Sequence, residues 1–187
     1  MCDGSKMCAG WGDRQRFIVS VFFLAKVTGR EFRLIMTTPC NITKFLVPNR
    51  YQWIPIGKEL QSESKILVDL WDATMVEKFT NTFINGDFNV AYPQTVVYLK
   101  GNRVFHAELE KSKLYAVAMK PWPNPHRGFR WAWAELMSPS PDILQKLKDV
   151  VGSDLLIRRG LIKKDPRAPP NKEATHSHAL TYGMSKT

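Results

Sequence analysis

The residues whose types and spacing most suggest chemistry lie near the start of the chain, in the run Gly10, Trp11, Gly12, Asp13, Arg14, Gln15 and Arg16. This glycine-punctuated loop leads into residues 14–28, which we predict to be a helix with Asp13 as N-cap and Gly29 as its stop. A helix N-terminus carries about half a positive charge, so Arg14 and Arg16 each oppose the macrodipole by about 0.3 to 1 kcal/mol. A bound anion would relieve this repulsion, because backbone amides and two guanidinium groups together form a phosphate or carboxylate site. Neutralisation by Asp13, Glu31 or a more distant acid explains the arginines equally well, and the sequence leaves both explanations open.

The elements that must position this segment follow from hydrophobic runs and turn residues. The predicted helix 14–28 is apolar nearly all round, which indicates that it is buried. Later elements are predicted as a strand at 30–36, a short helix at 43–46 ended by Pro48, a strand at 66–70, a helix at 72–79, a strand at 95–99, a paired strand or helix start at 103–107, a Trp, Pro and Arg-rich loop at 121–133, a helix at 142–151 and a strand at 154–157. Alternation of strands and helices after a glycine loop predicts an α/β fold with a largely parallel sheet.

Length and charge bound the organisation of the chain. Its 187 residues suffice for one well-packed domain, which we place at residues 1–160, and the lysine-rich, proline-rich composition of residues 161–187 predicts a disordered basic tail. No apolar run reaches the roughly 18 residues that a membrane span needs, and no targeting signal is recognised in this chain. The formal net charge of +10 calls for an anionic partner, which could be nucleic acid, an acidic membrane surface or a phosphorylated small molecule.

The cysteines and acidic residues do not indicate a metal site. Cys2, Cys8 and Cys40 form no Cys-x-x-Cys pair and lie near no histidine at zinc-ligand spacing. They could supply one disulfide and an odd thiol in an oxidising compartment, or three reduced thiols elsewhere. Asn41 begins an Asn-Ile-Thr sequon, which matters only in the secretory pathway.

The loop at 121–133 could form an aromatic and cationic platform for a sugar or phosphate, although packing by its own tryptophans is the interpretation that we favour. Its candidate residues are Trp122, His126, Arg127, Arg130, Trp131 and Trp133.

A wider pattern resembles a known family. The run from Gly10 to Arg16 is followed by Ile18-Val19-Ser20, Leu24-Ala25, Thr28-Gly29-Arg30, Phe32, Pro39-Cys40, Phe45-Leu46-Val47-Pro48-Asn49 and Trp53. Together these residues resemble the N-terminal part of fucosyltransferase-like glycosyltransferases, the superfamily of α-1,2, α-1,6 and protein O-fucosyltransferases. The resemblance covers roughly residues 2–53 and is thin beyond them. Phe17 stands where that family usually has glycine.

This resemblance implies a GT-B-type enzyme built from two Rossmann-like domains, of which the chain would be the N-terminal half, with a partly parallel sheet flanked by helices. Independently of the resemblance, a phosphate-binding loop normally follows a strand, yet only nine mostly polar residues precede Gly10, and the strand predicted at 154–157 should lead into a second domain. Truncation at both ends is therefore a hypothesis, and a compact single domain is its alternative. The intact enzyme would transfer fucose from GDP-fucose to a glycan or protein acceptor without a metal cofactor, in the lumen of the Golgi or endoplasmic reticulum, where Asn41 could make it a glycoprotein. The donor would be bound by Gly10, Trp11, Gly12, Asp13, Arg14 and Arg16, and by Arg158 through a partial match of residues 156–160 to the family's second signature.

The resemblance leaves the catalytic base unidentified, and it leads us to expect little or no activity from this chain alone. The alternative is a basic module that binds an anion or nucleic acid without catalysis. That alternative lacks any standard motif, and much of the excess charge lies in the predicted tail.

Overall fold

The computed structural model describes residues 10–37, 40–57, 61, 64–121 and 125–160, which form a mixed α/β fold of helices and two small sheets. The chain divides into two compact units, one up to Ile143 and one from Leu144 onward, and each is described by itself. The elements, in chain order, are α1 (Trp11–Thr28), a 3-10 turn (Ile42–Lys44), β1 (Leu46–Pro48), β2 (Lys65–Asp69), α2 (Ala73–Asn85), α3 (Phe88–Ala91), β3 (Val96–Lys100), α4 (His106–Lys111), α5 (Ala116–Met119), α6 (Pro125–Leu136), β4 (Met137–Pro139), α7 (Pro141–Val151) and α8 (Ser153–Arg158). The predicted tail 161–187 lies outside the described residues, and the domain boundary at residue 160 stays a prediction.

Helix α1 confirms the predicted helix and its stop but not its start. Gly29 adopts the left-handed conformation at φ 69°, and its N–H donates to the carbonyl of Ala25. The N-cap is Gly10 rather than Asp13, so the prediction for Asp13 was wrong. Gly10 has an extended backbone conformation, and the helix therefore begins three residues earlier than predicted. Asp13 lies within the first turn, where a carboxylate interacts favourably with the helix dipole without capping it.

The two sheets are small and of opposite kinds. Strands β2 and β3 are parallel, in a register that runs from Lys65 opposite Val96 to Asp69 opposite Lys100. Strands β1 and β4 are antiparallel and join residues that are far apart in sequence. The α/β class is thus confirmed, and parallel pairing is found in one sheet, whereas the sequence did not indicate the antiparallel pair. The helix predicted at 72–79 is confirmed as the first part of α2, which extends six residues further, to Asn85. Asp72 is its N-cap, and its side chain accepts from the N–H of Met75 at 2.9 Å.

Four expectations about the first unit were wrong or only partly right. Residues 30–36 do not form a strand, because their backbone pairs with single residues of two different loops instead of a neighbouring strand. Residues 43–46 form the end of a 3-10 turn and the start of β1 rather than a helix. Residues 103–107 lead into α4, and a hairpin with β3 is wrong because β3 pairs in parallel with β2. Residues 125–133 of the predicted loop 121–133 are helical, because Pro125 takes the first position of α6, where a missing N–H costs nothing.

In the second unit, the predicted helix 142–151 is confirmed as the greater part of α7. The strand predicted at 154–157 is wrong, because these residues lie in helix α8. The three apolar residues Leu155, Leu156 and Ile157 are compatible with either element, since the run is too short to show a period.

The core of the first unit is dominated by aromatic side chains. Phe22 and Phe23 of α1, Phe79 and Phe83 of α2, and Trp53 are each exposed by 1% or less. The indole N–H of Trp53 donates to the carbonyl of Leu136 at 2.8 Å, and the carbonyl of Trp53 accepts from the N–H of Leu34 at 2.8 Å. Trp53 therefore ties the segment 30–37 to the end of α6.

Candidate functional site

Helix α1 runs antiparallel to β3. At its C-terminal end, the guanidinium of Arg30 donates to the carbonyls of Tyr92 and Gln94, which shortly precede β3. Near its middle, the hydroxyl of Ser20 accepts from the N–H of Phe105 at 3.4 Å, beyond the end of β3, and closer to its N-terminus the ring of Phe17 packs edge-on against the ring of Phe105. The N-terminus of α1 therefore lies toward the carboxyl edge of the parallel pair.

The first turn of α1 presents accessible backbone amides. The first helical hydrogen bond runs from the N–H of Arg14 to the carbonyl of Gly10, so the amides before Arg14 have no acceptor within the helix. Gly10 supplies no side-chain cap. A Cβ atom placed on Gly10 or Gly12 would meet nothing within 4 Å, which shows that the space beside both glycines is open. The turn can therefore be approached closely by a ligand.

A large cleft begins beside this turn. Its volume is about 1010 Å³, and its walls are one stripe of α1, the segment 30–37 and the whole length of β3. Arg14 is half-buried in the α1 wall, followed by Phe17. Most of the other wall residues are apolar. The cleft therefore combines a cationic end with an apolar interior.

The predicted anion-binding residues are only partly brought together. Arg14 faces the cleft, whereas Gly10, Gly12, Asp13 and Arg16 are exposed on the first turns of α1. Arg16 makes no ion pair with an acid in the described part of the chain, which includes Asp13 and Glu31. The predicted donor ligand Arg158 is exposed at the end of α8 in the second unit.

The aromatic residues separate into two groups. Trp11, 45% exposed, packs edge-on against Trp133 with 6.1 Å between ring centroids, and Trp133 in turn stacks on Phe129 at 6.0 Å. Trp131 instead stacks on Phe23 in the core, so its role is structural. Arg130 is exposed on α6. Trp122 and the side chains of His126 and Arg127 lie outside the described residues. The interpretation as a loop packed by its own tryptophans is replaced by a helix that presents aromatic side chains on two sides.

The remaining candidates lie apart from the cleft. Cys40 is a half-buried free thiol, while Cys2 and Cys8 lie outside the described residues, so the disulfide prediction stays a prediction. Asn41 is exposed, and its side-chain oxygen accepts from the N–H of Thr43 at 3.1 Å and from the Thr43 hydroxyl at 2.8 Å. Within the described residues, no three side chains of the His, Cys, Asp or Glu type come together to hold a metal.

Three titratable groups with shifted pKa values are buried in the core, and burial raises the pKa of one of them, Tyr92. Burial lowers the pKa of His106 against the opposing charges of Glu110 and Glu108. The Nε2 of His106 is 3.2 Å from the Oε1 of Glu110 without hydrogen-bond geometry, so this contact is electrostatic. Burial raises the pKa of Tyr115 to about 12. None of the three groups lines the cleft, so none is a candidate for proton transfer there.

The sequence did not indicate most of the residues that form the cleft. Leu67 and Trp71, exposed by 58% and 44%, lie on the open face beside it. An exposed large apolar side chain in or after a strand of a parallel sheet is a signal for such a surface, because both faces of parallel sheets are usually covered. That signal becomes visible only when the pairing of β2 with β3 is known.

Comparison with models of known protein families gives no match, and comparison with curated protein sequences gives no significant match. Among the described residues, no helix has both the length and the apolar character needed to cross a membrane.

Proposed function

We propose that this chain is a fucosyltransferase-like glycosyltransferase domain of the GT-B type, and that the first turn of α1 receives the diphosphate of GDP-fucose. The observation that carries the proposal is the orientation of α1, whose N-terminus has no side-chain cap among the described residues and lies toward the carboxyl edge of a parallel strand pair. Phosphates in α/β folds bind at this position, because the amides of the helix start and the helix dipole both favour an anion.

The side chains around the turn support the same ligand. Arg14 would contact the diphosphate from the cleft wall, and Arg16 would add a second cation from the exposed side of α1. The exposed ring of Trp11 offers a flat apolar surface to the base or the sugar. In this proposal the two arginines that oppose the helix dipole are stabilised by the ligand they bind.

The chemistry that this arrangement suits is transfer with departure of a nucleoside diphosphate. The bond between the fucose anomeric carbon and the β-phosphate oxygen breaks, while the acceptor hydroxyl oxygen forms the new bond and gives its proton to a base. Negative charge increases on the departing GDP, where backbone amides and guanidinium groups stabilise it. No described residue is assigned as the base, and the role of the chain is the binding of the leaving group.

The test is the affinity of the full chain for GDP and GDP-fucose by isothermal titration calorimetry, compared with the Gly12→Ala variant. Apart from the helix's own backbone and the chain neighbours, the added methyl group meets no atom of the described residues within 4 Å, so we expect the fold to be retained. The methyl group does occupy the space that a phosphate needs next to the amides, and we expect the affinity to fall at least about tenfold.

A matched control is Gly57→Ala, another exposed glycine with open space around it. It should leave nucleotide binding unchanged. The proposal is refuted if wild type shows no affinity for guanine nucleotides, or if Gly12→Ala binds them as wild type does. Binding of oligonucleotides with a steep salt dependence, in place of GDP, would favour the basic nucleic-acid module instead.

A further inference from the structure

The Asn-Ile-Thr sequon at residues 41–43 occurs once in the sequence and lies at the surface of the first unit. Asn41 and Thr43 are exposed, whereas Ile42 between them is 2% exposed and belongs to the core. The sequon therefore crosses the boundary between solvent and core. Asn41 does not line the cleft, so a group attached to its side chain begins outside the cleft walls.

The two ends of the Asn41 side chain have different surroundings. Its oxygen caps the 3-10 turn, accepting from the N–H of Thr43 at 3.1 Å and from the Thr43 hydroxyl at 2.8 Å. Among the described residues, its nitrogen Nδ2 makes no hydrogen bond. N-glycosylation replaces one hydrogen on Nδ2 and leaves the carbonyl oxygen as an acceptor. The fold thus uses the oxygen of Asn41 and leaves the nitrogen that a glycan needs.

The backbone of the sequon is bonded within the fold. The N–H of Ile42 donates to the carbonyl of Met36 at 3.1 Å, and the N–H of Lys44 donates to the carbonyl of Asn41 at 3.1 Å. The N–H and the hydroxyl of Thr43 are both bonded to Asn41. A glycan-transferring enzyme must hold this tripeptide in its own active site, so the turn has to open and Ile42 has to leave the core first. The folded sequon is therefore a poor acceptor, although Asn41 itself is exposed.

We propose that Asn41 carries an N-linked glycan, which is attached before residues 41–45 fold and which the folded turn then retains without rearrangement. In the reaction, Nδ2 forms a bond to the anomeric carbon of a lipid-diphosphate-linked oligosaccharide. The bond from that carbon to the diphosphate breaks, the lipid diphosphate leaves with the electron pair, and a base of the transferring enzyme takes one proton from Nδ2. This inference rests on the passage through the secretory pathway that the glycosyltransferase proposal implies, but on no residue of the nucleotide site.

The capping role of Asn41 can be separated from its role as a glycan acceptor. A cap needs only an acceptor oxygen, which aspartate supplies as well as asparagine does. Asn41→Asp therefore keeps the turn and removes the nitrogen. Unmodified Asn41→Asp and unmodified wild type should unfold at the same urea concentration, so a loss of modification in this variant reports the acceptor nitrogen and not the fold.

The first test is translation of the full chain, preceded by a cleavable secretory signal, in the presence of endoplasmic-reticulum microsomes. We expect one upward step in gel mobility that peptide-N-glycosidase reverses, because the sequence holds a single sequon. Asn41→Asp and Thr43→Ala should abolish the step, while Thr43→Ser, which keeps the hydroxyl of the sequon, should retain it.

The second test concerns the order of modification and folding. The purified, unmodified, folded chain is treated with isolated oligosaccharyltransferase and lipid-linked oligosaccharide, and a peptide of residues 40–46 gives the rate without the fold. The folded chain should be modified at least about tenfold more slowly than the peptide. Ile42→Ala keeps the sequon and removes its anchor in the core, so it should raise the rate toward that of the peptide.

Three results would overturn the proposal. These are absence of the mobility step when a secreted glycoprotein in the same reaction is modified, equal rates for the folded chain and the peptide, and unfolding of the glycosylated chain at a lower urea concentration than the enzymatically deglycosylated chain. None of these measurements uses a nucleotide. A modified chain without affinity for GDP would support this inference and refute the nucleotide site, and an unmodified chain that binds GDP would do the reverse.

Discussion

Replacement of Tyr115 by phenylalanine removes one oxygen atom from the core and tests how the region before β3 is held. The hydroxyl of Tyr115, a residue 4% exposed, donates to the Asp87 carboxylate at 2.9 Å and accepts from the backbone N–H of Phe88 at 2.8 Å. Without it, the buried N–H of Phe88 has no partner. An unsatisfied buried donor costs about 1 to 3 kcal/mol. Asp87 keeps its bond from the N–H of Asn89, so its loss is smaller.

We therefore expect Tyr115→Phe to lower the free energy of unfolding by about 2 kcal/mol, which corresponds to a fall in Tm of about 4 to 8 °C for a protein of this size. Urea unfolding followed by circular dichroism measures the first quantity, and calorimetry measures the second. Tyr98→Phe is the matched control, because Tyr98 is half-buried and makes no hydrogen bond through its hydroxyl among the described residues, so it should change stability by less than about 0.5 kcal/mol.

The same hydroxyl gives a second measurement. Burial is the main cause that raises the pKa of Tyr115 to about 12. The folded chain holds this proton more tightly than the unfolded chain, so the stabilisation is present below the unfolded pKa near 10 and is lost as pH rises toward 12. Tyr115→Phe should flatten that alkaline loss. Equal stability of variant and wild type at neutral pH, with the same alkaline profile, would refute the account of Tyr115.

Two further predictions concern the core and the end of β3. Burial lowers the pKa of His106, so the unfolded chain takes up a proton below about pH 6.5 that the folded chain resists. The wild-type protein should therefore lose stability as the pH falls below that value. His106→Leu should reduce this loss, which urea unfolding measured from neutral pH downward would show. Gly101→Ala would place a Cβ atom 2.9 Å from the Cβ of the buried Leu70, and should lower the free energy of unfolding by about 1 to 3 kcal/mol, whereas Gly57→Ala should be nearly neutral. A His106→Leu profile parallel to that of wild type, or a neutral Gly101→Ala, contradicts the corresponding account.

The sequence predicted the elements whose signals are local. Gly29 ended α1, Asp72 capped α2, and the apolar period of α7 was sufficient, because capping and periodicity act within a few residues. The wrong predictions share a different cause. Residues 30–36 have the composition of a strand, but a strand needs a partner, and partners are decided by the whole fold. Helix α6 was missed because Pro125 was taken as a loop signal rather than as a first helical residue.

The candidate site was predicted in its cationic part and missed in its apolar part. Arg14 could be singled out from its position at a helix start, since that argument needs only the local sequence. The cleft requires α1, the segment 30–37 and the edge of β3 to meet, and no sequence pattern records where the outer edge of a parallel pair will lie. The exposure of Leu67 and Trp71 could not be predicted either, because it depends on which elements of the finished fold pack against these side chains.

One sequence property of α1 connects these two parts. The helix is apolar nearly all round, which predicts burial on every side. One side meets the core through Phe22 and Phe23, while the stripe containing Val21 and Leu24 faces the cleft. Leu24 is only 3% exposed and Val21 is half-buried, so most of this stripe is already removed from water by the neighbouring side chains. The apolar composition of α1 is therefore explained by burial on both sides of the helix, and it does not by itself require an occupant in the cleft.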